Sequence, residues 1–216
     1  MGLEAKNLEF RYGHSSRWIL KDVSLSVERG ERVGLVGPSG YGKSTLAKIL
    51  AGYEVPTSGE VLLDGAPIPK KGICPIQLIY QHPEKAINPR WKLRRVLEES
   101  GQLRPEILRA LGIEQDWLER FPRELSGGEL QRFCVARSLF RGTNFLIADE
   151  MSTMLDVITQ AQIWNLMLEE VEQRNLGLIV VTHNKHLAKR VCTRMIHLEE
   201  INHVRLTEKE AAEGVS

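Results

Sequence analysis

A glycine-rich loop set between two apolar runs constrains this chain more than any other feature. Gly37, Pro38, Ser39, Gly40, Tyr41, Gly42, Lys43, Ser44 and Thr45 follow the short branched run 31–36 and precede the run 46–51. The first run reads as a buried parallel strand and the second as a helix, so the loop falls at a strand-to-helix turn. Glycines there let backbone N–H groups converge on phosphate oxygens at the positive end of the helix. Lys43 is spaced to reach the β and γ phosphates of a nucleoside triphosphate, and the Ser44 hydroxyl to bind Mg²⁺. A plain glycine-rich turn is the alternative.

A magnesium nucleotide site also needs a carboxylate at the end of a neighbouring strand. Residues 144–150 supply an apolar run ending in two acids, Asp149 and Glu150. Asp149 is placed to hold Mg²⁺, and Glu150, directed differently, to polarise the water that attacks the γ phosphate. A solvated strand end remains open as the other reading of the pair. Between the loop and these acids lies Glu124-Leu125-Ser126-Gly127-Gly128-Glu129-Leu130-Gln131-Arg132, in which Ser126 suits the N-cap of a helix running to about Phe140. Its N–H groups and hydroxyl form a second anion-seeking helix start, unless it is an ordinary helix entry.

That segment resembles the signature of ATP-binding cassette (ABC) ATPases. Tyr12, the glycine loop, Gln81, the signature, Asp149 with Glu150, Asp156 and His183 stand in the family's order over nearly the whole chain. The resemblance implies a head-to-tail pair of ATPase domains, in which Ser126, Gly127, Gly128 and Glu129 of one cover the γ phosphate held by the other. It further implies that Tyr12 stacks on adenine, that Gln81 senses Mg²⁺ and the attacking water, that His183 positions that water, and that Asp156 touches the opposing subunit. Read alone, Tyr12 is a loop tyrosine, His183 a structural histidine and Asp156 an N-cap for the helix that follows. Met151 and Met154 depart from the family pattern, which commonly has proline and a small residue there.

The expected fold is α/β: an ABC-type phosphate-loop ATPase with a mixed core sheet, an antiparallel β layer and an inserted helical subdomain. Strand-like runs near 3–10, 19–28 and 59–65, with a turn at Asp64-Gly65, suit the antiparallel layer. Runs ending at Val36, Tyr80, Asp149 and Thr182 suit a parallel core. One nucleotide-binding domain spans 1–216, with its core at 1–84 and 141–216 and a helical subdomain at 85–140, where helices are expected around 92–101, 105–111 and 127–140. A later helix shows an apolar stripe at Val157, Ala161, Trp164, Leu168 and Val171, read as core. Another helix, two short strands through Arg205 and a polar tail at 207–216 are expected to follow.

The chain has 216 residues, 42% of them hydrophobic and 26% charged, enough for a sizeable core. A net charge of +1 gives no electrostatic reason to expect nucleic acid or an anionic membrane as a direct partner. No apolar run is long enough to cross a bilayer and no secretory pattern opens the chain, so a cytoplasmic location is expected. Cys74, Cys134 and Cys192 lack the spacing of a zinc site or disulfide framework. Lys6 occupies the position where a myristoylation motif needs Ser or Thr.

The segment from Tyr80 to Arg90, and above all Asn88-Pro89-Arg90, resembles the loop of ABC ATPases that energise peptide and nickel importers; a turn before a helix is the simpler reading. The resemblance implies ATP and Mg²⁺ as cofactors. As partners it implies membrane permease subunits, a second ATPase subunit and an extracytoplasmic solute-binding protein, with the chain peripheral on the inner face of the membrane. An exporter or another cargo is the second reading, and a switch acting on nucleic acid or ribosomes the third.

Overall fold

The computed structural model describes residues 1–13, 15, 17–101, 104–153 and 155–204. Two sheets organise them. Strands β1 (Gly2–Phe10), β2 (Leu20–Glu28), β4 (Ser58–Leu63) and β5 (Ala66–Pro67) form an antiparallel sheet in the order β2-β1-β4-β5. Strands β3 (Arg32–Val36), β6 (Ile76–Ile79), β7 (Phe145–Asp149), β8 (Gly177–Val181) and β9 (Arg194–His197) form a parallel sheet in the order β6-β7-β8-β3-β9.

The unbroken apolar runs of β7 and β8 follow from burial on both faces. Side chains alternate across a strand, and here the alternation feeds two cores. Phe145 and Ile147 pack with Val33, Leu35 and the antiparallel sheet. Leu146 and Ala148 pack with the helices on the opposite side. The first core also receives Leu46, Ile49 and Leu50 of α1 (Lys43–Leu50), the helix that follows the glycine loop.

Between β6 and β7 the described chain holds no strand. It forms α2 (Leu93–Glu98), α3 (Pro105–Ala110) and α4 (Gly127–Ser138), with 3₁₀ turns at Pro83–Lys85, Gln115–Glu119 and Pro122–Glu124. Both α2 and α4 are shorter than expected. Phe133, Val135 and Leu139 of the α4 region are fully enclosed against Leu93 and Val96 of α2.

Two expectations need correction. In α5 (Val157–Arg174) the buried face is Ile163, Trp164, Met167 and Val171, while Val157 is 81% exposed and Ala161 faces solvent. Trp164, Leu168 and Val171 of the expected stripe do pack on the core, and only its first members miss: an apolar residue in the first turn need not reach the core that the helix meets later. After α6 (Lys185–Val191) the described chain has one strand, β9, followed by the short helix α7 (Leu198–Ile201), rather than two strands. The Leu198 and Ile201 side chains pack on the first core from a helical turn, so the second run is helix-spaced. Met154, Arg205 and the tail at 207–216 lie outside the described residues.

Candidate nucleotide site

The register of the parallel sheet assembles the site. Leu35 of β3 and Asp149 of β7 both pair with Val181 of β8, so three strands end on one line. The pairing of Ile79 with Ala148 brings β6 to the same edge, where Tyr80 and Gln81 leave it. The glycine loop, Asp149-Glu150, His183 and Gln81 therefore emerge together at the carboxyl ends of neighbouring strands, the edge where open α/β sheets bind ligands.

Within the loop, Gly40 and Gly42 have φ of 79° and 93°, in the left-handed region that favours glycine. Gly42 is doubly required. A Cβ there would lie 3.0 Å from Leu20 Cδ2 and 3.1 Å from the Ile19 carbonyl. Gly42 is also the N-cap of α1, with no side-chain cap and no acid in the first turn, so the helix start is left electropositive. Lys43 folds over the loop, its Nζ donating to the Gly37 and Pro38 carbonyls at 2.8 Å each. Burial holds the Lys43 ammonium below its usual pKa, opposed by Glu150, Asp149 and Glu199. Pro38 and Ser39 continue the loop to Tyr41, which packs against the first core.

Ser44 Oγ donates to Asp149 Oδ1 at 3.0 Å. Burial pushes the Asp149 carboxyl up, the Ser44 bond lowers it and Glu150 raises it further. Two hard oxygens meeting at the mouth of a cavity of about 420 Å³, also lined by Gln81 and Lys48, are the donor chemistry Mg²⁺ takes alongside phosphates and water. Gln81 Nε2 donates to Thr153 Oγ1 at 3.2 Å, and Thr153 Oγ1 donates to the Glu150 carbonyl at 3.0 Å. Nothing in the sequence singled out Thr153.

Glu150 sits just past β7 with φ of 49°, an uncommon backbone for a non-glycine residue. Its N–H donates to the Val181 carbonyl at 3.0 Å, and its carboxylate meets His183. The segment after it is anchored by Met151, buried in the helical-side core, and by Ser152 Oγ, which accepts from Gln160 and from Trp164 Nε1. His183 itself lines a cavity of about 300 Å³ with Gly37, Pro38, Lys185 and Glu199. Tyr12 is half-exposed, stacks edge-on against Phe10 at 4.8 Å, and its hydroxyl lies 3.4 Å from Thr45 Oγ1.

The signature residues form a separate cluster. Ser126 caps α4 with its hydroxyl accepting from the Glu129 N–H at 3.3 Å, while Glu129 Oε2 accepts from the Ser126 N–H at 2.7 Å. This is a capping box, and it holds the Glu129 carboxyl below the usual range. A Cβ at Gly127 would meet nothing, and one at Gly128 would lie 3.5 Å from Leu155 Cδ2. Asp156 caps α5, accepting from the Ile158 and Thr159 N–H groups at 3.0 and 2.9 Å. Among the described residues no hydrogen bond joins Ser126 through Glu129 to the glycine loop. Buried Gln131 of α4 ties this helix to the end of β6, its Nε2 donating to the Tyr80 carbonyl at 3.1 Å.

A two-sheet α/β fold whose sheet edge gathers a phosphate loop, paired acids and a strand-end histidine is that of an ABC-type ATPase. A family model described as ABC transporter matches residues 20–153, and the chain belongs to that family. It is 34% identical over 209 residues to the nickel import ATP-binding protein NikE of Escherichia coli K12, covering 88% of this chain and 78% of that protein. The NikE of Rhodospirillum rubrum is 32% identical over 204 residues, covering 86% and 74%. Among solved structures, an ATP-binding subunit of an ABC transporter superposes with a TM-score of 0.79 at 25% identity, covering 91% of this chain and 85% of that one. A dimeric post-hydrolysis ATP-binding cassette bound to ADP and Pi gives 0.78 at 27% identity, covering 90% and 93%.

Proposed function

We propose that this chain is the ATP-hydrolysing subunit of an importer for nickel, another metal complex or peptides, working beneath a membrane permease. The observation that carries the reading is the common edge at which β3, β7 and β8 deliver Lys43, Ser44, Asp149, Glu150 and His183. ATP enters with its phosphates on the glycine loop and the start of α1, and with adenine against Tyr12. Ser44, Asp149 and Gln81 are the residues that would hold Mg²⁺, which supplies charge neutralisation to the β and γ phosphates. Glu150 turns from His183 to take a proton from water as the water oxygen bonds the γ phosphorus and the bond to the β-phosphate oxygen breaks.

Separation of the signature from the loop within one chain supports a shared site, each half completed by a second ATPase subunit packed head to tail. Ser126, Gly127 and Gly128 then present N–H groups and a hydroxyl to the partner's γ phosphate. We read 85–140 as a helical subdomain inserted in a core of 1–84 and 141–216. A cavity of about 570 Å³ lies between α1 and that insert, lined by Tyr53, Ile73, Asn88, Trp91 and Arg137 among others, and is the seat we assign to a permease segment. Asn88-Pro89-Arg90 does form a turn, Asn88 Oδ1 accepting from the Arg90 N–H at 3.0 Å, and that turn walls the cavity. No helix among the described residues is long and apolar enough to cross a membrane, which suits attachment to the cytoplasmic face through the permease. Cargo is supported by the NikE relatives, while the turn itself fits the simpler reading equally; a solute-binding protein outside the membrane completes the assembly.

Copurification tests the reading. The tagged chain should bring down an integral membrane protein, and ATP hydrolysis by the complex should rise when cargo and its binding protein are added. Recovery with ribosomes or nucleic acid and no membrane protein would overturn it.

A further inference from the structure

Asn202, just past α7, is a nine-tenths buried polar residue that the reaction scheme does not use. Its side chain joins the end of α7 to two other segments, 19–21 and the glycine loop. Oδ1 accepts from the Lys21 N–H at 2.9 Å, and Nδ2 donates to the Ile19 carbonyl at 3.0 Å and to the Tyr41 carbonyl at 3.3 Å. Both amide protons face carbonyls and the amide oxygen faces an N–H, so only one orientation of the side chain satisfies the junction. The backbone reinforces it: the Asn202 N–H donates to Leu198 O at 2.8 Å and the His203 N–H to Lys21 O at 3.0 Å.

The two segments lie next to the parts of the chain proposed to hold the phosphates and the adenine. Tyr41 is in the glycine loop, whose next residue, Gly42, sits where a Cβ would strike Ile19 and Leu20. The Ile19 N–H donates to the Phe10 carbonyl at 2.8 Å, and the Phe10 ring carries Tyr12 at 4.8 Å. A chain of contacts therefore runs from Tyr12 through Phe10, Ile19 and the Asn202 amide to Tyr41. Two donor groups on one rigid amide, each holding a different loop, set the spacing between them.

We infer that Asn202 is a positioning residue that fixes the phosphate loop against the start of β2, which in turn holds the Phe10 carbonyl next to the adenine tyrosine, and so sets the affinity for ATP without entering the chemistry. This rests on the nucleotide site proposed above. A group that holds two binding loops in register lowers the ordering entropy lost on binding, which appears in Kd and KM rather than in kcat.

The test compares ATP titrations and hydrolysis at saturating Mg²⁺-ATP for the wild-type chain, Asn202→Ala, and Leu108→Ala, a core variant in α3 chosen to lose comparable thermal stability. Asn202→Ala should weaken ATP binding about tenfold, the order of one or two hydrogen bonds, while the saturated rate stays within about twofold. Leu108→Ala should bind as the wild type does. Wild-type affinity in Asn202→Ala, or an equal loss in Leu108→Ala, overturns the inference. Hydrogen exchange on the wild-type chain needs no variant: ATP should slow exchange of the Lys21 amide held by Asn202, and unchanged protection counts against it. Lys43→Ala separates the two levels, since undiminished ATP affinity there removes the phosphate-loop reading itself, whatever Asn202 does.

Discussion

Glu150 Oε1 lies 2.8 Å from both the backbone N and the Nδ1 of His183, so the end of β8 holds the carboxylate that leaves the end of β7. The backbone N–H must donate, and Nδ1 donates when it carries the ring proton. A left-handed Glu150 backbone and the bond from its N–H to Val181 aim the side chain along this edge. The pair couples the candidate base to the residue proposed to position water.

Replacing the base isolates its chemistry. Glu150→Gln keeps an oxygen for the His183 N–H but cannot take a proton, so ATP binding should persist while turnover falls by about 10²–10⁴. Steady-state hydrolysis and nucleotide titration check it, and an unchanged rate removes Glu150 from that role.

Asp149 should show function opposed to stability. Its pKa is raised chiefly by burial, so folding is disfavoured progressively as pH climbs from the unfolded carboxyl value through the folded one. Asp149→Asn retains an acceptor for Ser44 and removes the buried charge. The nucleotide-free variant should melt higher than wild type at neutral pH, with the gap closing in acid, while Mg²⁺-dependent hydrolysis drops by about 10² or more. Calorimetry across pH reads the first effect; a lower neutral melting temperature would contradict it.

The proposed shared site would make Ser126 a residue of the partner's reaction. Ser126→Arg should block hydrolysis, since a long side chain occupies the helix start that must close on the other subunit, yet leave ATP affinity of the isolated chain within about twofold of wild type. Sizing with the Glu150→Gln background should show loss of the ATP-dependent dimer. Full activity in Ser126→Arg would exclude a site built across two subunits.

Glu170 of α5 ties the helical segment to the core. Its carboxylate takes a forked pair of bonds from Arg104, at 2.6 and 3.0 Å, and one from Arg174 at 3.0 Å. Burial pushes its pKa up, but these bonds outweigh that and hold it below the usual range. The stabilisation is therefore complete above the unfolded carboxyl pKa and is lost as pH falls through the folded value. Glu170→Gln leaves the Arg174 guanidinium without its carboxylate and Arg104 with Glu106 alone, and should cost up to about 3 kcal/mol at neutral pH. Urea melts at neutral and acid pH should show the difference from wild type shrinking in acid.

Motifs whose members are adjacent in sequence are legible from residue types alone: the glycine loop, the acids closing β7 and the Ser126 cap each depend on local backbone geometry that those types dictate. The two cores are likewise written into the unbroken apolar runs of β7 and β8. Distances between motifs are not, since the Ser44–Asp149 bond spans 105 positions and the Asn202–Tyr41 bond 161. The misjudged first turns of α5 have the same origin. Val157 and Ala161 fit a helical stripe by spacing, but which side of a helix is buried depends on what packs against it, and only the folded chain brings Phe133 and Leu178 to the side of Ile163 and Met167. Residue chemistry by itself thus determined that a glycine loop of phosphate-binding type and a strand closing in two acids exist, because those are properties of short segments. Tertiary structure decided that Glu150 rests on His183 and that one buried amide spans the nucleotide loops, because hydrogen-bond partners far apart in sequence meet only when sheet register places them.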